Sequence, residues 1–178
     1  MTEQRDELQL VLLAQCDDRQ AIETLFRRVQ HNLFRYVRGL VGEQQAEDVL
    51  QDVFVKLWRN LKWLEQPELF RPWAYRIASR TCFEYLKRRR RWSEQHDEGV
   101  TVEELPSTCN DGVPELLAGM EALLEGVSPA SRAVLLLHYG QDLAIEDVAA
   151  ILGIGIGTAK SRLAYGLACL RKTMKGKR

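Results

Sequence analysis

No apolar run in the 178 residues reaches the roughly 18 that a membrane span needs, and the start, Met1-Thr2-Glu3-Gln4-Arg5-Asp6, lacks a basic-then-apolar signal character. The cytoplasm is the expected compartment, with no direct membrane insertion. The four cysteines, Cys16, Cys82, Cys109 and Cys169, are scattered, without a Cys-x-x-Cys pair or a nearby histidine cluster. Neither a disulfide framework nor a zinc site is signalled, so reduced, mostly buried thiols and no metal or cofactor are expected. His31, His96 and His138 lie in three separate segments, no glycine-rich phosphate loop or nucleophile motif is present, and Gly153-x-Gly155-x-Gly157 does not follow a strand. Catalysis is not expected.

Net charge is also missing, because 25 Lys and Arg balance 25 Asp and Glu, but the balance is uneven along the chain. Residues 1–92 carry 17 basic against 13 acidic side chains, and residues 115–178 carry 8 against 6. Between them, Ser93 to Pro114 holds six acids and no Lys or Arg, with Gly99, Pro106, Gly112 and Pro114 and little apolar periodicity. That stretch reads as a flexible acidic linker between two mildly basic modules.

Outside the linker the apolar residues keep helical period. Asp17 and Asp18 can cap a helix in which Ile22, Leu25, Phe26, Val29, Leu33, Phe34, Val37 and Leu40 recur at three- and four-residue steps up to Gly42. A second helix, from about Gln44 to Leu61, has a stripe of Ala46, Val49, Leu50, Val53, Phe54, Leu57, Trp58 and Leu61. At 100° per residue, Val55 falls opposite that stripe, amid Asp48, Gln51, Asp52 and Arg59. An apolar residue there has no core to join. It is either one exposed valine on a solvated acidic face or part of a protein-docking face.

A third helix, from about Pro72 to Arg90, repeats the pattern with the charge reversed. Trp73, Ala74, Ile77, Ala78, Thr81, Cys82 and Tyr85 make its buried stripe, and Phe83 lies opposite with Arg76, Ser79, Arg80 and Lys87 around it. The helix then runs into Lys87-Arg88-Arg89-Arg90-Arg91. Cations that track phosphates beside a ring that stacks on an unpaired base suit single-stranded nucleic acid, each stacked base contributing roughly 1–3 kcal/mol. A solvated basic face with Phe83 covered by a neighbouring segment is the plainer alternative.

After the linker, Pro114 and Glu115 can open a short helix, and Ser128-Pro129 is an N-cap followed by proline at the first helical position, with Gly140 ending that helix. Ile145 to Leu152, Gly153-Ile154-Gly155 and a helix from Ile156 to about Leu170 form a helix-turn-helix pattern. Val148, Ala149 and Leu152 face inward on the first helix, and Ile156, Ala159, Leu163, Leu167 and Leu170 on the second, with Gly153 permitting the turn. The open face carries Thr158, Ser161 and Tyr165, suited to base edges, flanked by Lys160 and Arg162, suited to phosphates. A helical hairpin that contacts protein is the alternative.

On these residues the chain resembles the extracytoplasmic-function (ECF) sigma factors of the sigma-70 family. Ala46-Glu-Asp-Val-Leu-Gln-Asp-Val-Phe-Val-Lys-Leu-Trp58 is similar to the region 2 helix that docks on the β′ clamp helices of core RNA polymerase. Phe70-Arg-Pro-Trp-Ala-Tyr-Arg-Ile-Ala78, continuing to Tyr85-Leu-Lys-Arg-Arg-Arg-Arg91, looks like the part that melts and reads the minus-ten element. Gly157-Thr-Ala-Lys-Ser-Arg-Leu163 is similar to region 4, which reads the minus-thirty-five element. The resemblance implies an all-α fold of two small helical domains, region 2 over 1–92 and region 4 over 115–178, joined by the linker 93–114. It further implies a β flap contact, promoter DNA, an anti-sigma factor, and neither an autoinhibitory N-terminal extension nor a separate middle domain.

This sequence departs from the family pattern at several positions. Ser79 and Arg80 stand where Arg-Asn is common, Gly155 where a capping serine is frequent, and Tyr165-Gly166 where Arg-Ala is common. Altered base reading and weaker minus-thirty-five recognition are the expected consequences. With few phosphates neutralised per module, affinity must come from joining two weak contacts. The 22-residue linker relaxes to roughly 26 Å but stretches to about 75 Å, near two turns of duplex, so polymerase is expected to hold it extended, along the RNA exit channel by resemblance. A stand-alone helix-turn-helix regulator is the alternative reading; it accounts for residues 128–170 but leaves Val55 and Phe83 unexplained.

Overall fold

In the computed structural model, which describes residues 2–96, 124 and 126–176, every regular element among the described residues is helical. The second helix, α2 (Arg19–Val41), starts where Asp18 Oδ1 accepts the Ala21 N–H at 3.0 Å, as the capping pattern predicts. It ends at Gly42, whose φ of 91° lies in the left-handed region that favours glycine. Leu25, Val29, Leu33, Tyr36, Val37 and Leu40 form its buried stripe. Ahead of it lies α1 (Thr2–Gln15), which the sequence pattern did not reveal. It is fixed by Arg71, whose Nε donates to both Glu7 carboxylate oxygens at 2.9 Å, and by Gln15 Nε2, which donates to the carbonyls of Leu61 and Leu64.

Helix α3 (Glu43–Asn60) packs on α2 through Val49, Val53 and Leu57, and two short 3-10 turns, Leu61–Trp63 and Pro67–Leu69, lead into α4 (Phe70–His96). α4 outlasts its expected end at Arg90 because Lys and Arg are good helix formers, and so takes in Ser93 to His96, the first four residues assigned to the linker. Linker residues 97–114 and the helix expected from Pro114 lie outside the described residues. The C-terminal module comprises α5 (Pro129–His138), α6 (Ile145–Leu152) and α7 (Ile156–Gly176). Ser128 caps α5 through the Ser131 N–H.

The two modules share one core. Val134, Leu137, Val148 and Ile151 join the buried cluster built by α2, α3 and α4, while Leu124, Val127 and Leu135 form a smaller one with Leu163, Leu167 and Leu170. Some expected core positions are corrected. Trp58 is 59% exposed, since at 60° from Val55 it sits nearer the open face of α3 than the core stripe. Ile156 opens α7 and points outward from its first turn. Of the three described thiols only Cys82 is buried; Cys16 is exposed and Cys169 intermediate. Among the described residues no helix is long and apolar enough to cross a membrane.

Candidate protein and nucleic-acid interfaces

The acidic face of α3 is open along its length. Asp48, Gln51, Asp52, Val55 and Arg59 are all exposed, and Trp58 stands beside them. Val55 and Trp58 therefore make an apolar pair on a polar helix face, with carboxylates to one side. The helix is held rigidly: Lys56 Nζ donates to Glu84 Oε2 at 2.7 Å and to Thr81 Oγ1 at 3.1 Å, clamping α3 to α4. The Lys56 hydrogen bond holds the Glu84 carboxyl below the usual carboxylate range. Trp58 was hidden from the sequence pattern because it continues the apolar spacing of Leu50, Phe54 and Leu57.

On α4 the expected cluster divides. Arg76, Arg80, Lys87 and Arg88 form an exposed cationic strip. Ser79 does not belong to it. Its side chain is 2% exposed, receives the Tyr36 O–H at 2.7 Å and donates to the Tyr75 carbonyl at 2.7 Å, because this turn of α4 faces α2. Assignment of Ser79 to a DNA-contacting face is corrected accordingly. Phe83 is half-buried and packs against the core, so only part of its ring stays open, between the exposed strip and the protein.

In the C-terminal module Gly153 adopts the left-handed conformation at φ 65°, and its N–H and that of Ile154 reach back to the Ala150 and Ala149 carbonyls. That turn sets α7 across α6. Thr158, Lys160, Ser161 and Tyr165 are exposed on α7, with Arg162 half-buried. Ser161 Oγ donates to the Gly157 carbonyl at 2.9 Å. A hydrogen bond with the Cys169 side chain pushes the Tyr165 phenol above its ordinary range. Gly166 has a packing reason: a Cβ there would lie 2.7 Å from Leu135 Cδ1 of α5.

Residues 25–92 match the family described as Sigma-70 region 2, and residues 123–172 match Sigma-70, region 4, in the same order as the two helical modules. The chain belongs to the ECF sigma factors of the sigma-70 family. It is 28% identical over 162 residues to the ECF RNA polymerase sigma factor SigE of Mycolicibacterium smegmatis, with 84% of this chain and 60% of that protein covered. To the RNA polymerase sigma-H factor of Pseudomonas aeruginosa it is 28% identical over 177 residues, covering 92% of this chain and 90% of the relative. The sigma factor RpoE from Bartonella quintana, solved in complex with the anti-sigma factor NepR, superposes with a TM-score of 0.69 at 23% identity, over 88% of this chain and 99% of that one, which bears on the fold. As an alternative sigma factor the chain directs transcription initiation, and the stand-alone regulator reading has no comparable support.

The geometry of this sigma factor brings most of the expected residues onto three separate surfaces: the acidic face of α3, the cationic strip of α4 and the outer face of α7. Among the described residues no group of His, Cys, Asp and Glu could hold a metal ion.

Proposed function

We propose that the three surfaces divide the work of promoter recognition. The α3 face, Asp48, Gln51, Asp52, Val55 and Arg59 together with Trp58, docks on the β′ clamp helices of core polymerase. The α4 strip, Arg76, Arg80, Lys87 and Arg88 with the open edge of Phe83, follows the minus-ten element as it melts. Thr158, Lys160, Ser161, Arg162 and Tyr165 on α7 read the minus-thirty-five element, and region 4 leans on the β flap. Domain limits of 1–92 and 115–178 with the connection 93–114 accord with this division, save that α4 continues to His96. The protein acts beside the polymerase in the cytoplasm as an initiation factor without catalysis of its own, and an anti-sigma protein like the one bound to the Bartonella relative holds it in reserve.

The observation that carries this reading is the Val55 and Trp58 pair, open to solvent on a helix whose opposite side is fully packed, in a chain of this family. Aromatic anchors dominate protein interfaces, and truncating one commonly costs at least about 2 kcal/mol, near thirtyfold in affinity. The test is run-off transcription from a genomic promoter library with purified core polymerase. New start sites should require the protein, should vanish with Val55→Asp and should weaken by more than tenfold with Trp58→Ala. Absence of initiation, together with tight duplex binding by the protein alone, would make it a stand-alone regulator.

A further inference from the structure

One acid interrupts the α4 strip. Between Arg71 and Arg91 the sequence holds a single carboxylate, Glu84, four residues from Arg80 on one side and four from Arg88 on the other. Residues so spaced are neighbours on one helix face, so Glu84 stands in the line of cations rather than behind it. All three residues are exposed, the Glu84 side chain to 61%.

An acid at this place repels the phosphates that the strip is suited to follow. It is nevertheless held there. Lys56 Nζ, reaching across from α3, donates to Oε2 at 2.7 Å, and the same ammonium donates to Thr81 Oγ1 at 3.1 Å. Thr81 is itself fixed, since its hydroxyl donates to the Ile77 carbonyl at 2.9 Å. One carboxylate oxygen is thus occupied from α3, while among the described residues no group donates to the other, Oε1.

A clamp between α3 and α4 does not by itself call for this residue. Exposed ion pairs add little to stability, and the Thr81 hydroxyl already receives Lys56. What a fixed, ionised carboxylate adds is a group that accepts hydrogen bonds and donates none. In the major groove cytosine and adenine present exocyclic amino donors, where thymine and guanine present the O4 and O6 acceptors, and carboxylates pair with the cytosine amino group.

We propose that Glu84 is a specificity-determining residue of the minus-ten contact, whose Oε1 accepts from the exocyclic amino group of a cytosine or adenine at one promoter position and disfavours thymine and guanine there. Lys56 is its positioning residue. The inference deepens the promoter reading above and rests on it: the cations of the strip supply affinity that ignores sequence, and the acid among them supplies discrimination.

The test is initiation by core polymerase carrying the full-length protein, from a promoter library randomised through the minus-ten region, with transcripts and templates both sequenced. The wild type should favour cytosine or adenine at one position by about tenfold, as a hydrogen bond to a charged group implies. Glu84→Ala should flatten that position to within about twofold and leave preferences elsewhere in the element as they were. Glu84→Gln is the sharper variant. Its amide oxygen can replace Oε2 and keep Lys56, which puts an amide N–H donor where Oε1 stood, so the preference should invert toward thymine or guanine. Unchanged preferences in both variants would overturn the proposal, and so would a loss of initiation uniform over all sequences with Glu84→Ala and absent with Glu84→Gln, the mark of a clamp alone. Failure of the promoter reading would show in the wild type itself, as no initiation from the library that depends on the protein, and would take the proposal with it.

Discussion

Ser79 offers a sharp test, because the helical projection sets it among DNA contacts and the structure sets it in the core. Its hydroxyl stands in a chain of hydrogen bonds: Tyr36 O–H donates to Ser79 Oγ, and Ser79 O–H donates to the Tyr75 carbonyl. Tyr36 and Ser79 are 1% and 2% exposed, so water cannot replace either partner. Ser79→Ala leaves the Tyr36 hydroxyl buried without an acceptor and should cost about 1–3 kcal/mol. Tyr36→Phe removes that hydroxyl while Ser79 keeps its bond to Tyr75, for a loss nearer 1 kcal/mol. The double variant should be less destabilised than the two losses added, with a coupling of about 1–2 kcal/mol. Urea unfolding of the full chain measures all four corners of the cycle, valid where the m-value is unchanged. Wild-type stability in Ser79→Ala, accompanied by a specific defect in promoter melting, would refute the burial argument and return Ser79 to the DNA face.

Two further predictions concern the cap of α7 and behaviour in alkali. At Gly155 a Cβ would meet only Thr158 Oγ1, at 3.9 Å, so Gly155→Ser fits without displacement and should stabilise the protein by a few tenths of a kcal/mol, read as an upward shift in thermal midpoint. Burial pushes the Cys82 thiol and the Tyr75 phenol each up to about 12, and Tyr36 higher still. Each group is neutral when folded and ionises more readily when unfolded, so its stabilising share is complete below the unfolded value and is lost as pH rises toward the folded one. Stability should therefore hold up to about pH 8 and fall between roughly 9 and 12, the first part of the fall softening in Cys82→Ala. A urea midpoint that stays flat to pH 11 in the wild type would contradict the burial of these groups.

What could be read from the sequence was what a single helix decides for itself. The buried stripe of α2, the Asp18 and Ser128 caps, the Gly153 turn and the open acids of α3 each follow from 100° spacing and local backbone chemistry. α1 escaped notice because Leu10, Val11, Leu12, Leu13 and Ala14 are consecutive, so no periodic stripe distinguishes Val11 and Ala14, which are buried, from Leu12 and Leu13, which are exposed. Trp58 and Ser79 failed for a related reason. Each lies near the edge of its helix stripe, where the neighbouring helix rather than the residue type determines burial: Trp58 is turned toward the open side of α3 although Leu57 and Leu61 on either side of it are buried, and Tyr36 of α2 covers Ser79.

The junction between modules was the least legible feature, and its physics shows why. Its polar bonds join residues 66, 74 and 92 positions apart, and its apolar part includes the close approach of the Leu136 side chain to Gly39, which spacing rules register only as a weak point in a helix. Local pattern therefore identifies which residues a helix leaves exposed, whereas contacts between residues far apart in sequence decide what some of them touch. Arg76 shows both: it is exposed on α4, as 100° spacing predicts, yet its guanidinium donates to the Ala150 carbonyl in the last turn of α6, where the helix dipole favours a cation.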